Sequence, residues 1–577
     1  MSPAGGRWWR RARRPDAPAP ETAPAATGPA AENAGLPAAG AGPTAPEETV
    51  RQATERAVGE AAAMLGPRHR VPPAVLPVLD ALDGYRELTA RPMRVALVGR
   101  VSAGKSTLVN ALLGADRVDT GAEELTFNVS RLTHGPDRTV TVHYKDGRPP
   151  TRHHPDELRD LTSRARDEDT AAHARLRAID HLVVSDPSPC LRAFDLVDTP
   201  GLDSVLGADS ANTLRFLGRS ADEVRADSLG HAGHADALVL VFARGLAQGE
   251  EELLADFTGA GFGPGGGGTH GGGALTTVGV LTKAELYWPE HPDPLAEGRR
   301  VADRVMTAAG GTRLMYDLRP VCSLVGAAAG QLTEQDFADL TALAAVEPAL
   351  LAKRAARGPY FTTRPYPDLP VPADRRARLF GLLAGYGLTL ACGLVRDGVH
   401  RLPELRTELD RRSGLADFRL LLADHFGARA DLLKLRRIVD RAHTLPTLLP
   451  PATDAAAARD RAAVDRAVGR FVDLEVQQHA FRELTVLRDC YDGRLTGLSD
   501  PDRLELRRVA GEYGTDPAVR LGLPAGTPRP ELHHRAVTRL AHWAAMTADP
   551  AHSGPDRRAC QVLRRSLERL VGDLASP

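Results

Sequence analysis

An α/β fold carrying helical extensions at both ends is what the sequence predicts, and three stretches predict it. The apolar run Val95-Ala96-Leu97-Val98 ends at Gly99 and leads through Arg100-Val101-Ser102-Ala103-Gly104-Lys105-Ser106-Thr107 into a helical pattern reaching Leu113. A second apolar run, Phe194 to Val197, delivers Asp198-Thr199-Pro200-Gly201. From about residue 379 onward, apolar residues recur mostly at helical spacing. A chain of 577 residues is too long for one core. The expected division is a tail over 1–47, a helical pair over 48–92 that packs on the later helices, an α/β domain over 93–375 and a helical bundle or stalk over 376–577.

Composition narrows the class. With 73 Lys and Arg against 74 Asp and Glu, the net charge is −1, which leaves no electrostatic footprint for nucleic acid. Cys190, Cys322, Cys392, Cys490 and Cys560 are far apart and form neither a C-x-x-C pair nor a His-linked metal spacing, so a reducing cytosol is expected. The basic residues are almost all Arg. Lysine occurs only at 105, 145, 283, 353 and 434, and two of these fall in the motifs below, where a compact ammonium differs from a guanidinium fork.

The first 47 residues are rich in Ala, Pro and Gly without apolar periodicity, which predicts disorder. No apolar h-region follows Arg7-Trp8-Trp9-Arg10-Arg11-Ala12-Arg13-Arg14, so a secretory signal is not expected. That cluster reads as a solvated basic tail or as a contact with an anionic membrane, Trp at the headgroups. From Glu47 to Leu65 and from Pro73 to Leu88 the pattern is helical, with Val50, Ala53, Ala57 and Ala61 and then Val75, Leu76, Leu79 and Leu82 on single faces that need a partner.

The strand ending at Gly99 opens the pattern G-x-x-x-x-G-K-[ST] in the strand–loop–helix setting that a phosphate-binding loop requires. A chance glycine-rich turn is the bland alternative, and the flanking strand and helix argue against it. Gly99, Ser102, Ala103, Gly104 and Thr107 belong to a loop and first helical turn whose N–H groups wrap a triphosphate. Lys105 reaches the β- and γ-phosphates, and Ser106 can hold Mg²⁺.

After the loop, Thr126 lies between this helix and the next strand. A Thr there either is an ordinary loop residue or closes over the metal and holds the attacking water. Asp198 ends its strand where a carboxylate can bind Mg²⁺ through water, and Gly201 leaves an N–H free to sense the γ-phosphate. Residues 202–234 read as a second switch and a helix, 235–243 as a buried strand, 250–257 as a helix and 259–273 as a flexible glycine-rich loop. His231 and His234 lack a third ligand and read as solvated. The strand Thr276 to Leu281 ends in Thr282-Lys283-Ala284-Glu285. In the [NT]-K-x-D pattern the Lys stem packs along the base, and the carboxylate accepts from guanine N1 and N2. Here that carboxylate is Glu285. Val321-Cys322-Ser323 is expected to end another strand, with Ser323 supplying backbone contacts to the base.

These residues together resemble the dynamin superfamily: Ser102-Ala103-Gly104-Lys105-Ser106, the placement of Thr126, Asp198-Thr199-Pro200-Gly201 and Thr282-Lys283. Among its bacterial members the chain is similar to the actinobacterial group of isoniazid-inducible dynamin-like proteins. The resemblance is strong over the α/β domain and loose after it. It implies a phosphate-loop GTPase that hydrolyses GTP to GDP and phosphate with Mg²⁺. It also implies that Ser102, with a monovalent cation, helps neutralise transition-state charge, and that Thr126 positions water. Self-association through the GTPase domain, or pairing with a second dynamin-like protein, follows from it; the cysteines point to a cytoplasmic place, and the Arg7 to Arg14 cluster offers peripheral contact to an anionic membrane. The rival is a slow nucleotide-dependent switch or scaffold. Departures are Glu285 for Asp, Val101 where eukaryotic dynamins carry Gln, and Glu124 where many bacterial relatives have Pro.

Leu379 to Val395 is the most apolar run, short of the about 20 residues of a bilayer crossing and interrupted by Gly385, Tyr386 and Gly387. A core helix or helix pair is expected rather than a membrane segment. Further on, Leu415, Phe418, Leu422, Phe426 and Leu433 line one helical face, and Val464, Val468, Phe471, Phe481, Leu484 and Tyr491 another. Pro524 to Pro530 breaks the pattern before helices containing His533 to Met546 and Asp556 to Leu574. No apolar paddle interrupts these helices.

Overall fold

The computed structural model describes residues 49–99, 102–114, 129–158, 161, 178–198, 235–243, 273–308, 311, 315–427, 429–491, 493–552 and 554–575. The expected tail, Thr126, Gly201, His231, His234, the expected helix 250–257 and most of the glycine-rich run lie outside these residues.

Two helices come first. α1 (Val50–Leu65) starts at a reciprocal cap between Thr49 and Gln52 and ends at Gly66, whose φ of 94° a side chain would resist. After a short 3-10 turn, α2 (Leu76–Ala90) leads into β1 (Met93–Gly99). The chain continues through α3 (Lys105–Leu113), β2 (Val129–His134), β3 (Thr139–Tyr144), β4 (Thr151–His153), β5 (Ile179–Asp186), β6 (Phe194–Asp198), β7 (Ala237–Ala243), β8 (Thr277–Thr282) and β9 (Leu318–Pro320). These strands form one mixed sheet in the order β4-β3-β5-β2-β6-β1-β7-β8-β9.

Its five-strand block β6-β1-β7-β8-β9 is parallel throughout, so all five carboxyl ends lie along one edge. Strands in such a block are covered on both faces, which is why they read as continuous Val/Leu runs. Val95 and Leu97 of β1 enter one apolar cluster with Leu108, Val109, Val239, Val241, Val278 and Val280, while Ala96 and Val98 enter another with Leu240, Phe242 and Leu281.

Part of the helical region shares its core with the sheet. Leu415, Phe418, Leu422 and Phe426 are fully buried in the same cluster as β1 and α3, and Leu484, Tyr491, Trp543, Leu563 and Leu567 continue it. The expected face Leu415 to Leu433 divides between two helices, Leu415–Leu422 and Ala430–Ala442, with a π-turn at Ala423–Gly427 between them. α1 and α2 contribute Ala53, Val58, Ala61, Val78 and Leu82 to a third cluster with Leu435, Ile438, Val464 and Phe471. A fourth joins Val325, Leu340, Leu351 and Phe361 to Leu379, Leu383, Leu388 and Leu405, so position 375/376 falls inside a single apolar cluster.

The apolar run lies in a 24-residue helix, Ala373–Arg396, longer than the run itself and among the described residues the one helix long and apolar enough to cross a membrane. It is two helical segments joined at a kink immediately before Gly385, as the expected helix pair has it, and Gly385 and Gly387 also serve close packing. A Cβ on Gly385 would lie 2.5 Å from the Trp288 ring, and one on Gly387 2.9 Å from Val325. The bend sits at Ala384, at φ 51°. Leu379, Leu383, Leu388, Ala391 and Cys392 of this helix are each fully buried against protein.

Candidate functional site

The carboxyl edge of the parallel block gathers most of the described motif residues. Leu97 is in register with Asp198, Gly99 with Val241, and Ala243 with Thr282. At that edge β6 and β7 leave β1 on opposite sides, the kind of crevice where open α/β sheets bind ligands.

Backbone shape comes first. A Cβ at Gly99 would stand 2.5 Å from the Val241 carbonyl oxygen, so only glycine lets β7 pass there. Ser102 adopts a φ of 59° and Gly104 one of 91°, after which α3 begins directly at Lys105. Two left-handed residues within three positions curl the backbone, and the N–H groups of the first turn, which includes Ser106 and Thr107, have no partner inside the helix. Lys105 is buried, its Nζ donating to the Gly99 carbonyl at 3.1 Å, so the ammonium lies folded along the loop. Ala103 is buried below the loop, and the Thr282 hydroxyl sits 2.5 Å from its carbonyl oxygen and 2.9 Å from that of Phe242. Thr282 thereby ties the loop to the end of β8.

Asp198 is fully buried. Its Oδ2 lies 3.4 Å from the Ser106 hydroxyl, and its Oδ1 has no hydrogen-bond partner. Burial raises its carboxyl to about 6 against the opposing pull of Lys105 and the Ser106 hydrogen bond. A hydroxyl beside a carboxylate with an orphaned buried oxygen is a hard, all-oxygen donor set, and it fits Mg²⁺. Ser130 escaped the sequence reading. It faces Asp198 across the β2–β6 register, is buried, and its hydroxyl is also unpartnered. No local signal marks it, since β2 reads Val-Ser-Arg-Leu-Thr-His and carries several polar residues.

At the end of β8, Lys283 takes a φ of 57° and opens the 3-10 turn Ala284–Tyr287, which carries Glu285 inward. Glu285 is 6% exposed. Burial pushes its carboxyl up to about 7, opposed by its own N–H, the Lys283 charge, the Leu324 N–H and the Cys322 thiol. Its Oε2 and the Ser323 hydroxyl are both buried without partners. Orphaned acceptor and hydroxyl groups side by side fit a ligand edge that carries N–H donors. Ser323 does not end a strand as expected. β9 stops at Pro320, and Ser323 opens the helix Ser323–Gln331, because the Cys322 N–H is taken by the Ser413 carbonyl and Gly326 already bonds back to Cys322.

Comparisons with known proteins bear on the family. Residues 95–226 match the dynamin family. Isoniazid-induced protein IniC of Mycobacterium tuberculosis is 30% identical over 508 residues, covering 86% of this chain and 94% of that protein. The chain belongs to the dynamin family, among its bacterial members. Dynamin-like protein 2 of Campylobacter jejuni is 30% identical over 112 residues, covering 19% of this chain and 17% of that protein. A solved oligomerised bacterial dynamin pair covers 90% of each chain at 11% identity and a TM-score of 0.31, too loose a superposition to equate residues.

Family membership makes this a GTPase fold, and one further contact ties the C-terminal end of α3 to the helical region. Arg419, in the helix Leu415–Leu422, donates to the carbonyls of Ala111 and Leu112 at the end of α3 and is itself held by Asp410 at 2.7 and 2.9 Å. More than 300 residues separate Arg419 from α3, so no local pattern signals it.

Proposed function

We propose that this dynamin-family protein hydrolyses GTP with Mg²⁺ and uses nucleotide state to drive self-association. The observation that carries the reading is the buried Asp198 carboxylate, with one oxygen orphaned and the other beside Ser106, next to a phosphate loop closed by Lys105. Lys105 meets the β- and γ-phosphates once it leaves the Gly99 carbonyl. Ser106 and Asp198, together with Thr126, would hold the Mg²⁺, which would supply positive charge against the triphosphate. Thr126 orients the attacking water, and the Gly201 N–H senses the γ-phosphate. Ser102, raised on its left-handed backbone, works beside a monovalent cation on the developing charge.

For the base, Thr282 fixes the phosphate loop against β8, the Lys283 stem covers one face, and Glu285 accepts from the guanine N–H groups. Glu285, one methylene longer than Asp, is buried in the 3-10 turn Ala284–Tyr287. Adenine offers no such donor pair, and leaving the buried carboxylate unpaired costs about 1–3 kcal/mol.

The partner reading is self-association or pairing with another dynamin-like chain, with an anionic membrane surface reached through the Arg7 to Arg14 cluster. The experiment is GTP turnover per molecule as a function of protein concentration. A steep rise is the expected result. Slow turnover that stays flat with concentration, alongside nucleotide-dependent capture of a partner, supports the switch or scaffold instead.

A further inference from the structure

A second charged cavity lies away from the nucleotide edge, where the helices Ala430–Ala442, His479–Tyr491 and Pro517–Leu521 meet the start of α1 and the turn at Ala510 and Gly511. It has a volume of about 270 Å³, and Arg429, Glu483, Leu484, Gly511, Thr515 and Arg520 are among the residues that line it. Arg429 is 7% exposed, and both of its terminal nitrogens lack any hydrogen-bond partner. Its guanidinium lies at the cavity wall, since a Cβ built on Gly511 would stand 3.5 Å from Nη2. The left-handed Gly511, at φ 75°, keeps that wall open.

The carboxylates of Glu483 and Glu512 lie near enough to act on the Arg429 charge, but neither accepts a hydrogen bond from its terminal nitrogens, and Glu512 Oε2 has no hydrogen-bond partner of its own. Glu483 Oε1 takes the Arg520 guanidinium at 2.5 Å and the Ser566 hydroxyl at 2.6 Å. Glu512 Oε1 takes the Tyr491 hydroxyl at 2.5 Å, and its Oε2 lies 3.5 Å from Arg507. Asp431, also lining the cavity, is half-buried. A desolvated guanidinium with two free donor nitrogens beside empty space is an unfavourable arrangement unless an acceptor fills it. Its planar fork matches two oxygens of a phosphate or a carboxylate.

We propose that this cavity binds a small oxyanion, phosphate or carboxylate, held in the fork of Arg429. The site is separate from the phosphate loop and independent of the nucleotide reading. Inorganic phosphate and acetate are the probes, each compared with chloride at matched ionic strength, and the readout is the thermal midpoint of the full chain. Four proteins are compared: wild type, Arg429→Met, Thr515→Trp and Lys105→Ala. Thr515 is exposed at the rim, so Thr515→Trp closes the cavity and leaves Arg429 in place, and the test does not depend on Arg429→Met folding.

Wild type and Lys105→Ala should both rise in midpoint with at least one of the two anions, by the mass action of a ligand that binds only the folded state. Arg429→Met and Thr515→Trp should show no rise. A response to phosphate alone assigns the site to phosphate, and one to acetate as well assigns it to carboxylates too. A rise that disappears in Lys105→Ala and survives in the two cavity variants belongs to the phosphate loop and overturns the proposal. So does the absence of any rise in wild type.

Discussion

Glu285 sits where burial holds its carboxyl at about 7, so the proposed base site titrates across the neutral range. Guanine N–H groups bind the carboxylate, and the free protein protonates it as pH falls through 7. Affinity for GDP should therefore be full at pH 8 and weaker at pH 6, by about tenfold for one unit below the free value. Titrating a fluorescent GDP at several pH values in excess Mg²⁺ measures this. Glu285→Gln should flatten the profile and erode the preference over adenine, whereas Glu285→Asp should keep or sharpen it. A flat wild-type profile removes Glu285 from the base site. Lys105→Ala should abolish nucleotide binding, while Thr126→Ala should spare binding and slow hydrolysis; equal loss of affinity in both would end the role proposed for Thr126. At this scale the phosphate loop was legible, because strand, glycines, Lys and hydroxyl are consecutive. Ser130 was not, since its importance comes from what crosses the sheet, and Cys322 was placed beside the base without its thiol's contact to Glu285.

Between elements, Asp236 is the clearest joint. Nearly buried at the start of β7, it accepts from Arg91 at the end of α2 at 2.6 and 2.9 Å, from Arg437 at 2.7 Å and from the Arg94 N–H at 2.9 Å. Burial pushes its carboxyl up, but Arg91, Arg437 and the Arg94 N–H outweigh that and leave it below the ordinary value. A carboxyl lowered in the folded state contributes stability above its unfolded value, near 4, and loses it as pH falls through the lower folded value. Asp236→Ala should cost about 3–5 kcal/mol at neutral pH, because it removes the carboxylate shared by two partly buried guanidinium groups and leaves their charges uncompensated there. Denaturant unfolding checks this, and a loss under about 1 kcal/mol would show the joint to be inert. Arg419→Ala should cost about 1.5–3 kcal/mol by freeing the carbonyls at the end of α3. Helical faces were readable from spacing, as with Leu415, Phe418 and Leu422. The break between Gly427 and Ala430 was not, because the π-turn is fixed by what it touches: His425 Nε2 lies 2.7 Å from the Leu275 carbonyl, and its ring stacks on Tyr316.

Over the whole molecule, the continuous cluster from β1 through Phe418 to Leu567 means that the helical region and the nucleotide sheet share apolar contacts. Sequence periodicity marks which faces are apolar and cannot name their partner, so a separate stalk was as readable as this shared core. If lipid is a partner, the arm bearing Trp8, Trp9 and five arginines from Arg7 to Arg14 is the proposed contact. Each Arg near an anionic surface contributes about 1 kcal/mol, and salt screens it. Removing residues 1–40 should keep basal turnover and abolish most co-sedimentation with anionic liposomes at low salt; equal sedimentation would move the contact elsewhere. The central claim is Mg²⁺-dependent hydrolysis of GTP at the edge built from Lys105, Ser106 and Asp198, and phosphate release from GTP with ATP as competitor tests it most directly. The expected result is release that needs Mg²⁺, disappears in Lys105→Ala and resists excess ATP; release unchanged in Lys105→Ala, or suppressed as well by ATP as by unlabelled GTP, would contradict it.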